Sequence, residues 1–416
     1  MNSQLYRQLD EEINGRLGVD VGFTALIRTT PYPMNEEEVA GFGARHAVIQ
    51  RFQERTLDLF KASLMGQCDP EIAQMVVGDL PQHLGLAYHR QLTDSQHRRP
   101  VFFRTDEPCP GKLSEIQCPG SGWCLAEEIL TLYRNNERVF GPRRHFRDSL
   151  AAGFATALRR YLERPPLVHH LLDNASRPHG MRYFIQRTRE HGVKYFTFDR
   201  GVTPQECNFV RSHDFVTLPH HNFFTTRMER CNRGEVFFDL SPSALFDCKI
   251  IMSWPFWSRT RDWYDDGIRA LFPFTSLIER DGFMLPDGDW ISLGDFCQRS
   301  AGQRDYYLKY AGSDIALNWG SKGVFLASDL SSVRLRKLIE SIVENGERRR
   351  YWIIQESLRH RDEVSAFGRD GTPFATKTYS KFSGFYGPDG LMGILVMQKF
   401  SPKVHGSPDT IMSVVP

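Results

Sequence analysis

Two short stretches carry the first chemical signal: PVFFRTD, with Arg104 and Asp106, and KLSEIQ, with Glu115 and Gln117. Each pair is spaced i and i+2, and alternate side chains of a strand share a face. A hairpin made of the two stretches therefore gathers two carboxylates, an amide and a guanidinium on one surface. Hard oxygen donors of this kind suit Mg²⁺, and a neighbouring arginine suits a phosphoryl or acyl-phosphate oxygen. Alternation alone does not separate such a site from an ordinary solvated sheet face. The rest of the chain has to decide.

A second constellation lies in YYLKYAGSDIALNWGSKGVFLA. Lys309 ends an apolar strand, and a loop holding Gly312, Gly320, Ser321, Lys322 and Gly323 leads into another. Glycine lets backbone amides approach a phosphate closely, and a fixed lysine adds a point charge. Neither the P-loop signature nor the dinucleotide fingerprint is present, so the loop is not one of those two devices. Further on, RRYWIIQES is apolar until it turns polar at Gln355 and acidic at Glu356, as expected where a strand passes a nucleobase pocket.

The elements that must hold these residues read as an α+β fold. Val39, Phe42, Val48, Ile49, Phe52, Leu57 and Phe60 recur at helical spacing, so residues 1–97 form an N-terminal helical segment. Residues 98–165 carry the two strands that hold the candidate metal ligands. Residues 166–285 alternate in the manner of a small α/β layer, with RYFIQ, VKYFTFD, EVFFDL and KIIMSW as strands and RTREHG and SALFD as helix. Residues 286–365 hold the Lys309 strand, the glycine loop, a helix over 330–345 and the Gln355 strand. In that helix Asp329 is the expected N-cap, Leu335, Leu338, Ile339, Ile342 and Val343 the apolar stripe, and Gly346 the stop. Residues 366–416 end the chain within a sheet, GLMGILVMQKF being one of its strands.

Composition bounds the partner. The chain has 416 residues, 41% hydrophobic and 25% charged, enough for a substantial core. Its 52 Lys and Arg against 50 Asp and Glu leave a net charge of only +2, with no block of like charge to bind nucleic acid or a membrane surface. No apolar run reaches the roughly eighteen residues of a membrane span, and the start MNSQLYRQLDEEING is polar and acidic, unlike a secretory signal, so a cytoplasmic location is expected. The eight cysteines lack a CxxC pair and are expected to be reduced thiols, Cys109, Cys118 and Cys124 included. The expected partners are small molecules.

A lysine-bearing strand, a glycine loop, a helix and a strand ending in Gln-Glu resemble the ATP-clamping lid of the ATP-grasp ligases. In the usual order of that family the acidic ligands follow the lid, whereas here RTD and SEIQ precede it. That order resembles the circular permutation of glutathionylspermidine synthetases and eukaryotic glutathione synthetases, where an R-x-D strand and an E-x-N strand carry the catalytic arginine and the magnesium ligands. Gln117 stands where that pattern has Asn. The resemblance covers residues from about 99 to the C-terminus. It implies an ATP-grasp fold in circularly permuted order and an ATP- and Mg²⁺-dependent carboxylate–amine ligase forming an amide or peptide bond through an acyl phosphate. The acid is expected to be an amino acid or a small peptide-like acid. It further implies Arg104 as the catalytic arginine, Asp106, Glu115 and Gln117 as metal ligands, and Lys309, Gly320, Ser321, Lys322, Gly323, Gln355 and Glu356 as the ATP site.

Three other readings stay open. A phosphotransferase could use the same nucleotide site, a degenerate nucleotide-binding protein could have lost turnover, and a metal-dependent hydrolase could use His169–His170 and His220–His221. Adjacent histidines on a strand point to opposite faces, which favours packing roles for them. Arg259, Arg261, Lys377 and Lys403 are basic residues that could meet a substrate carboxylate or simply be solvated.

Overall fold

The computed structural model describes residue 11, residues 25–117, 122–136, 149–171, 178–197, 206–212, 215–216, 218, 223–318, 322–347, 350–368, 370–405 and 409–415. The architecture is mixed α+β, built on one large sheet and two smaller four-stranded ones.

The large sheet is organised by its longest strand, Pro373–Gly387. One edge of that strand pairs along its length with Gly390–Lys399. The other edge is shared: its first half pairs with His360–Phe367 and its second half with Phe103–Glu107. The order continues outward through Glu115–Gln117 on one side and through Ile411–Val414 and Leu26–Ile27 on the other. Alternation then sorts the side chains. Phe103, Glu107, Phe382 and Tyr386 face the helix Glu36–Leu64, whereas Arg104, Asp106, Lys381 and Ser383 face away from it.

The helix Glu36–Leu64 starts where the sequence permits a start. Asn35 and Glu38 form a reciprocal capping box, and three glutamates occupy the positive end of the helix dipole. Its stripe of Phe42, Ile49, Phe52 and Phe60 is fully buried. Arg45 reaches the sheet and pairs with Glu107 at 2.9 Å. The N-terminal segment is not wholly helical, however. Leu26–Ile27 is a strand, parallel to the terminal strand at Ile411 and Met412, and so a two-residue apolar pair too short to show periodicity closes the sheet.

The second sheet is antiparallel, in the order Val324–Leu326, Tyr306–Tyr310, Trp352–Glu356, Thr275–Leu277. Leu308, Tyr310, Trp352 and Ile354 pack under Leu335, Ile339 and Ile342 of the helix Ser332–Glu347. That helix differs from expectation at both ends. Asp329 belongs to a preceding single turn, the backbone N–H of Arg334 reaches the Ser331 hydroxyl at 3.4 Å, and the helix runs one residue past Gly346.

The third sheet is parallel, in the order Lys194–Thr197, Leu167–Leu171, Phe209–Ser212, Phe237–Phe238. Here two expected strands are corrected. RYFIQ lies inside the helix Pro178–Glu190, whose Phe184, Ile185 and Thr188 are buried at helical spacing. KIIMSW contributes a 3₁₀ turn, Lys249–Met252, buried against the second sheet's neighbourhood through Ile250, Ile251 and Met252. SALFD likewise forms only a 3₁₀ turn, Ala244–Asp247. In each case an apolar run short enough to be either strand or helix is settled by what it packs against. No described helix is long and apolar enough to cross a membrane.

Glu107 gives the fold a pH dependence. Its carboxyl is fully buried, and burial pushes it up to about 7 even though Arg45 and the Gly111 N–H favour the charged form. A folded-state value above the unfolded one means a stabilising contribution that is complete below the unfolded value and lost as pH rises through about 7. Glu107→Gln should therefore gain on the wild type between pH ~4.5 and ~7, by up to about 3 kcal/mol in chemical denaturation. A difference that does not change with pH across that window would show that Glu107 is already ionised at its base.

Candidate active site

The strand register places the acidic residues together. Asp106 lies directly opposite Glu115 on one side and Ser383 on the other, and Arg104 lies opposite Gln117 and Phe385. The second sheet then brings Lys309 over this hairpin, its ammonium donating to the Ser114 carbonyl at 3.2 Å. Asp106, Ser114, Glu115, Lys309, Gln355 and Glu356 line one cavity of about 710 Å³, open mouth included, within the usual range for a cofactor or small-molecule site.

Asp106 is the most heavily bonded carboxylate in the cavity. Lys381 pairs with it at 2.8 Å, the Ser383 hydroxyl donates at 2.8 Å, and the Arg104 guanidinium lies 2.9 Å away. Burial opposes its charge, but Arg104 and Lys381 outweigh burial and hold the carboxyl well below the usual carboxylate range. Glu115 is similarly held low against burial, principally by Lys249, which pairs with it at 3.2 Å.

Lys309 is anchored from its own sheet. It donates to the Gln355 side-chain oxygen at 2.6 Å, and the Gln355 amide nitrogen donates to the Thr275 hydroxyl at 2.9 Å. Thr275, Gln355 and Lys309 thus form a relay across three adjacent strands that aims one ammonium into the cleft. Burial lowers the Lys309 ammonium to about 8, with Glu115 resisting the shift.

Arg104 is placed differently from the rest. It is buried, does not line the cavity, and lies beneath Gly122, where an added Cβ would sit 3.0 Å from a guanidinium nitrogen. Gly122 has φ +94°, so two independent constraints require glycine there. Gln117 is half-buried opposite Arg104 and also outside the cavity lining. Lys322 is exposed and does not line the cavity either.

Of the glycine loop, Gly320 and Ser321 lie outside the described residues. Gly312 and Gly323 are used for packing. A Cβ on Gly312 would collide with Asp79, and one on Gly323 would lie 2.7 Å from the Tyr310 side chain. Asp79, from the N-terminal helical segment, accepts hydrogen bonds from the Tyr310 hydroxyl and from the Ser313 N–H, which pins this end of the loop.

Sequence reasoning missed Lys381, Ser383, Lys249, Thr275 and Arg359. A signal existed for the first two, since YSKFSGF alternates Lys381 and Ser383 with Phe382 just as RTD alternates Arg104 and Asp106. Arg359 and Lys403 line the cavity, Arg359 tied to Asp305 and Lys403 donating to the Val324 carbonyl at 2.7 Å. Arg259, Arg261 and Lys377, by contrast, are exposed. His169 and His170 are buried, His170 bonded to the Tyr195 hydroxyl at 2.9 Å and His169 beside Arg227, while His220 and His221 lie outside the described residues. Cys118 does too, and the other seven cysteines are not joined in disulfides.

A small antiparallel sheet thus holds one lysine over the acidic hairpin of a larger sheet. No family model and no curated protein matches the sequence. Among solved structures the chain is similar to a glutathione synthetase-like effector from Globodera pallida in its apo form, with a TM-score of 0.53 and 11% identity, across 100% of this chain and 97% of that one. At that identity the likeness is one of fold.

Lys309 should titrate near 8 by NMR of its labelled side-chain nitrogen, apart from the exposed lysines. Because Glu115 supports its charge, Glu115→Gln should move the titration lower. A Lys309 that titrates with the exposed lysines would mean that the ammonium is not enclosed between the sheets.

Proposed function

We propose that this chain is an ATP- and Mg²⁺-dependent carboxylate–amine ligase, ATP-grasp in type and circularly permuted in order, that forms an amide or peptide bond through an acyl phosphate. The observation that carries the reading is the convergence of Lys309, Gln355 and Glu356 from one sheet with Asp106 and Glu115 from another on a single cleft. Their order along the chain, hairpin before lid, is what the permuted reading requires. The full-length likeness to a glutathione synthetase-like fold supports it. The proposed acid is an amino acid or small peptide-like molecule.

The donor set suits Mg²⁺. Asp106 and Glu115 face one another on adjacent strands, and Mg²⁺ is commonly held by one or two carboxylates together with substrate phosphates, so an ion here would displace Lys381 and Lys249 as their counterions. Asp106 and Glu115 would hold the ion, which when bound would offset the charge developing on the transferred phosphoryl group. Gln117 stands one alternation beyond Glu115 on the same face and is its proposed neighbour in the set.

The chain's own residues supply positioning and electrostatics. The nucleobase would lie along Gln355–Leu358, with Val324, Tyr307 and Leu358 giving it apolar walls. Lys309, Lys381, Arg359 and Lys403 present four cations to a polyphosphate and to the carboxylate substrate. Lys322 and the loop at Gly320, Ser321 and Gly323 are proposed to complete the phosphate cover when nucleotide is bound. Arg104, on the same strand of the hairpin, acts by holding Asp106 ionised and oriented. A substrate carboxylate attacks the γ-phosphate, ADP departs, and the amine then displaces phosphate from the acyl carbon.

A second reading has its own observation. Lys381 on Asp106 and Lys249 on Glu115 place an ammonium on each proposed metal ligand, which favours a nucleotide-binding protein without turnover.

A screen of amino acids and amines with ATP and Mg²⁺ separates the classes. ADP release that needs both an acid and an amine is the expected result. ADP release with the acid alone indicates a phosphotransferase, nucleotide binding without release indicates the silent reading, and AMP with pyrophosphate overturns the mechanism. Arg104→Ala and Glu115→Gln should each lower kcat about a hundredfold, on the order of 3 kcal/mol. Both should also raise the Mg²⁺ requirement, Glu115→Gln directly and Arg104→Ala through Asp106.

A further inference from the structure

Lys249 touches both a proposed metal ligand and the loop between the Lys309 and Val324 strands. Its ammonium lies 3.2 Å from Glu115 Oε1 and donates to both the side-chain and the main-chain oxygen of Asn318. Asn318 closes the one-turn helix Ile315–Asn318, and its amide nitrogen in turn donates to the Asp247 carbonyl at 3.1 Å. The Lys249 side chain is 10% exposed, so these contacts are shielded from bulk water.

Resting on the nucleotide-site reading above, we infer that Lys249 is a positioning residue that couples cation occupancy at Glu115 to the placement of Asn318. An ammonium has three donors and no acceptor. Lys249 directs them to Glu115 and Asn318, so one charge serves as counterion to the carboxylate and as anchor for the helical turn. A divalent cation on Glu115 repels that ammonium at close range and takes over its role as counterion. The hold on Asn318 then weakens, and Ile315–Asn318 is released from its docked position. Coupling of this kind is reciprocal, so fixing Asn318 in the docked place lowers cation affinity by the same factor. Lys381 differs from Lys249 in this respect. It pairs with Asp106 from within the same rigid sheet and carries no loop with it.

The test uses the full-length chain with Mn²⁺ as a paramagnetic probe, alone and with ATP, together with hydrogen exchange of the peptide covering residues 315–318. In the wild type, Mn²⁺ with ATP should raise exchange there. Lys249→Met should show raised exchange from the start with no further response, and it should bind Mn²⁺ about tenfold more tightly, because the competing charge is gone. Lys249→Arg, which keeps the charge, should restore the wild-type pattern. A purely structural lysine predicts the opposite sign, with Lys249→Met weakening Mn²⁺ binding. That result, or wild-type exchange unaffected by Mn²⁺ with ATP, overturns the inference while leaving the site intact. Failure of the wild type to bind Mn²⁺ or ATP at all would overturn the nucleotide-site reading as well.

Discussion

The pairing of Phe103–Glu107 with the second half of Pro373–Gly387 is the constraint on which the rest of the molecule hangs. It joins residues nearly three hundred positions apart, with Asp106 and Ser383 separated by 277. It places Asp106 between Ser383 and Glu115, points Glu107 at Arg45 on the opposite face, and sets the hairpin edge against which the second sheet lays Lys309. A slip of one residue would exchange the two faces, carrying Asp106 toward the helix Glu36–Leu64 and Glu107 into the cleft.

That register also accounts for the buried charge. An unpaired buried carboxylate is costly, and removing one partner of a buried pair typically costs about 3–5 kcal/mol. Asp106 is surrounded by Arg104, Lys381 and Ser383, each delivered by a neighbouring position of the same two strands. The strand pairing that builds the sheet therefore also balances the charge of the site. Lys309 and Lys249 enter from other parts of the chain and face the same pair of acids. Charge around the two acids is thus shared among segments from distant parts of the chain.

The N-terminal helical segment, which the resemblance to ATP-grasp ligases leaves unexplained, has a mechanical place. Through Phe42, Arg45 and His46 it backs the sheet behind the acidic hairpin, and through Asp79 it holds the start of the loop that follows Lys309. One continuous piece of chain thereby backs the acidic hairpin and pins the start of the loop after Lys309.

Amino-acid sequence alone determined what local spacing controls. Alternation in PVFFRTD and SEIQ was enough to put Arg104 with Asp106 and Glu115 with Gln117, and the strands carrying Lys309 and Gln355 were legible as apolar runs, each ending one residue further on, at Tyr310 and Glu356. Helical periodicity marked Glu36–Leu64 because twenty-nine residues repeat the pattern many times. Short runs such as RYFIQ, KIIMSW and the Leu26–Ile27 pair carried too few repeats to distinguish a strand from a helix, and only their packing decided. The tertiary structure alone could show that Lys381 and Ser383 complete Asp106, that Lys249 bridges Glu115 to Asn318, and that Gly312 and Gly323 are glycines because neighbouring side chains and backbone leave no room for a Cβ. Those are contacts between segments distant in sequence, and a charge meets its partner only where the fold brings the two together.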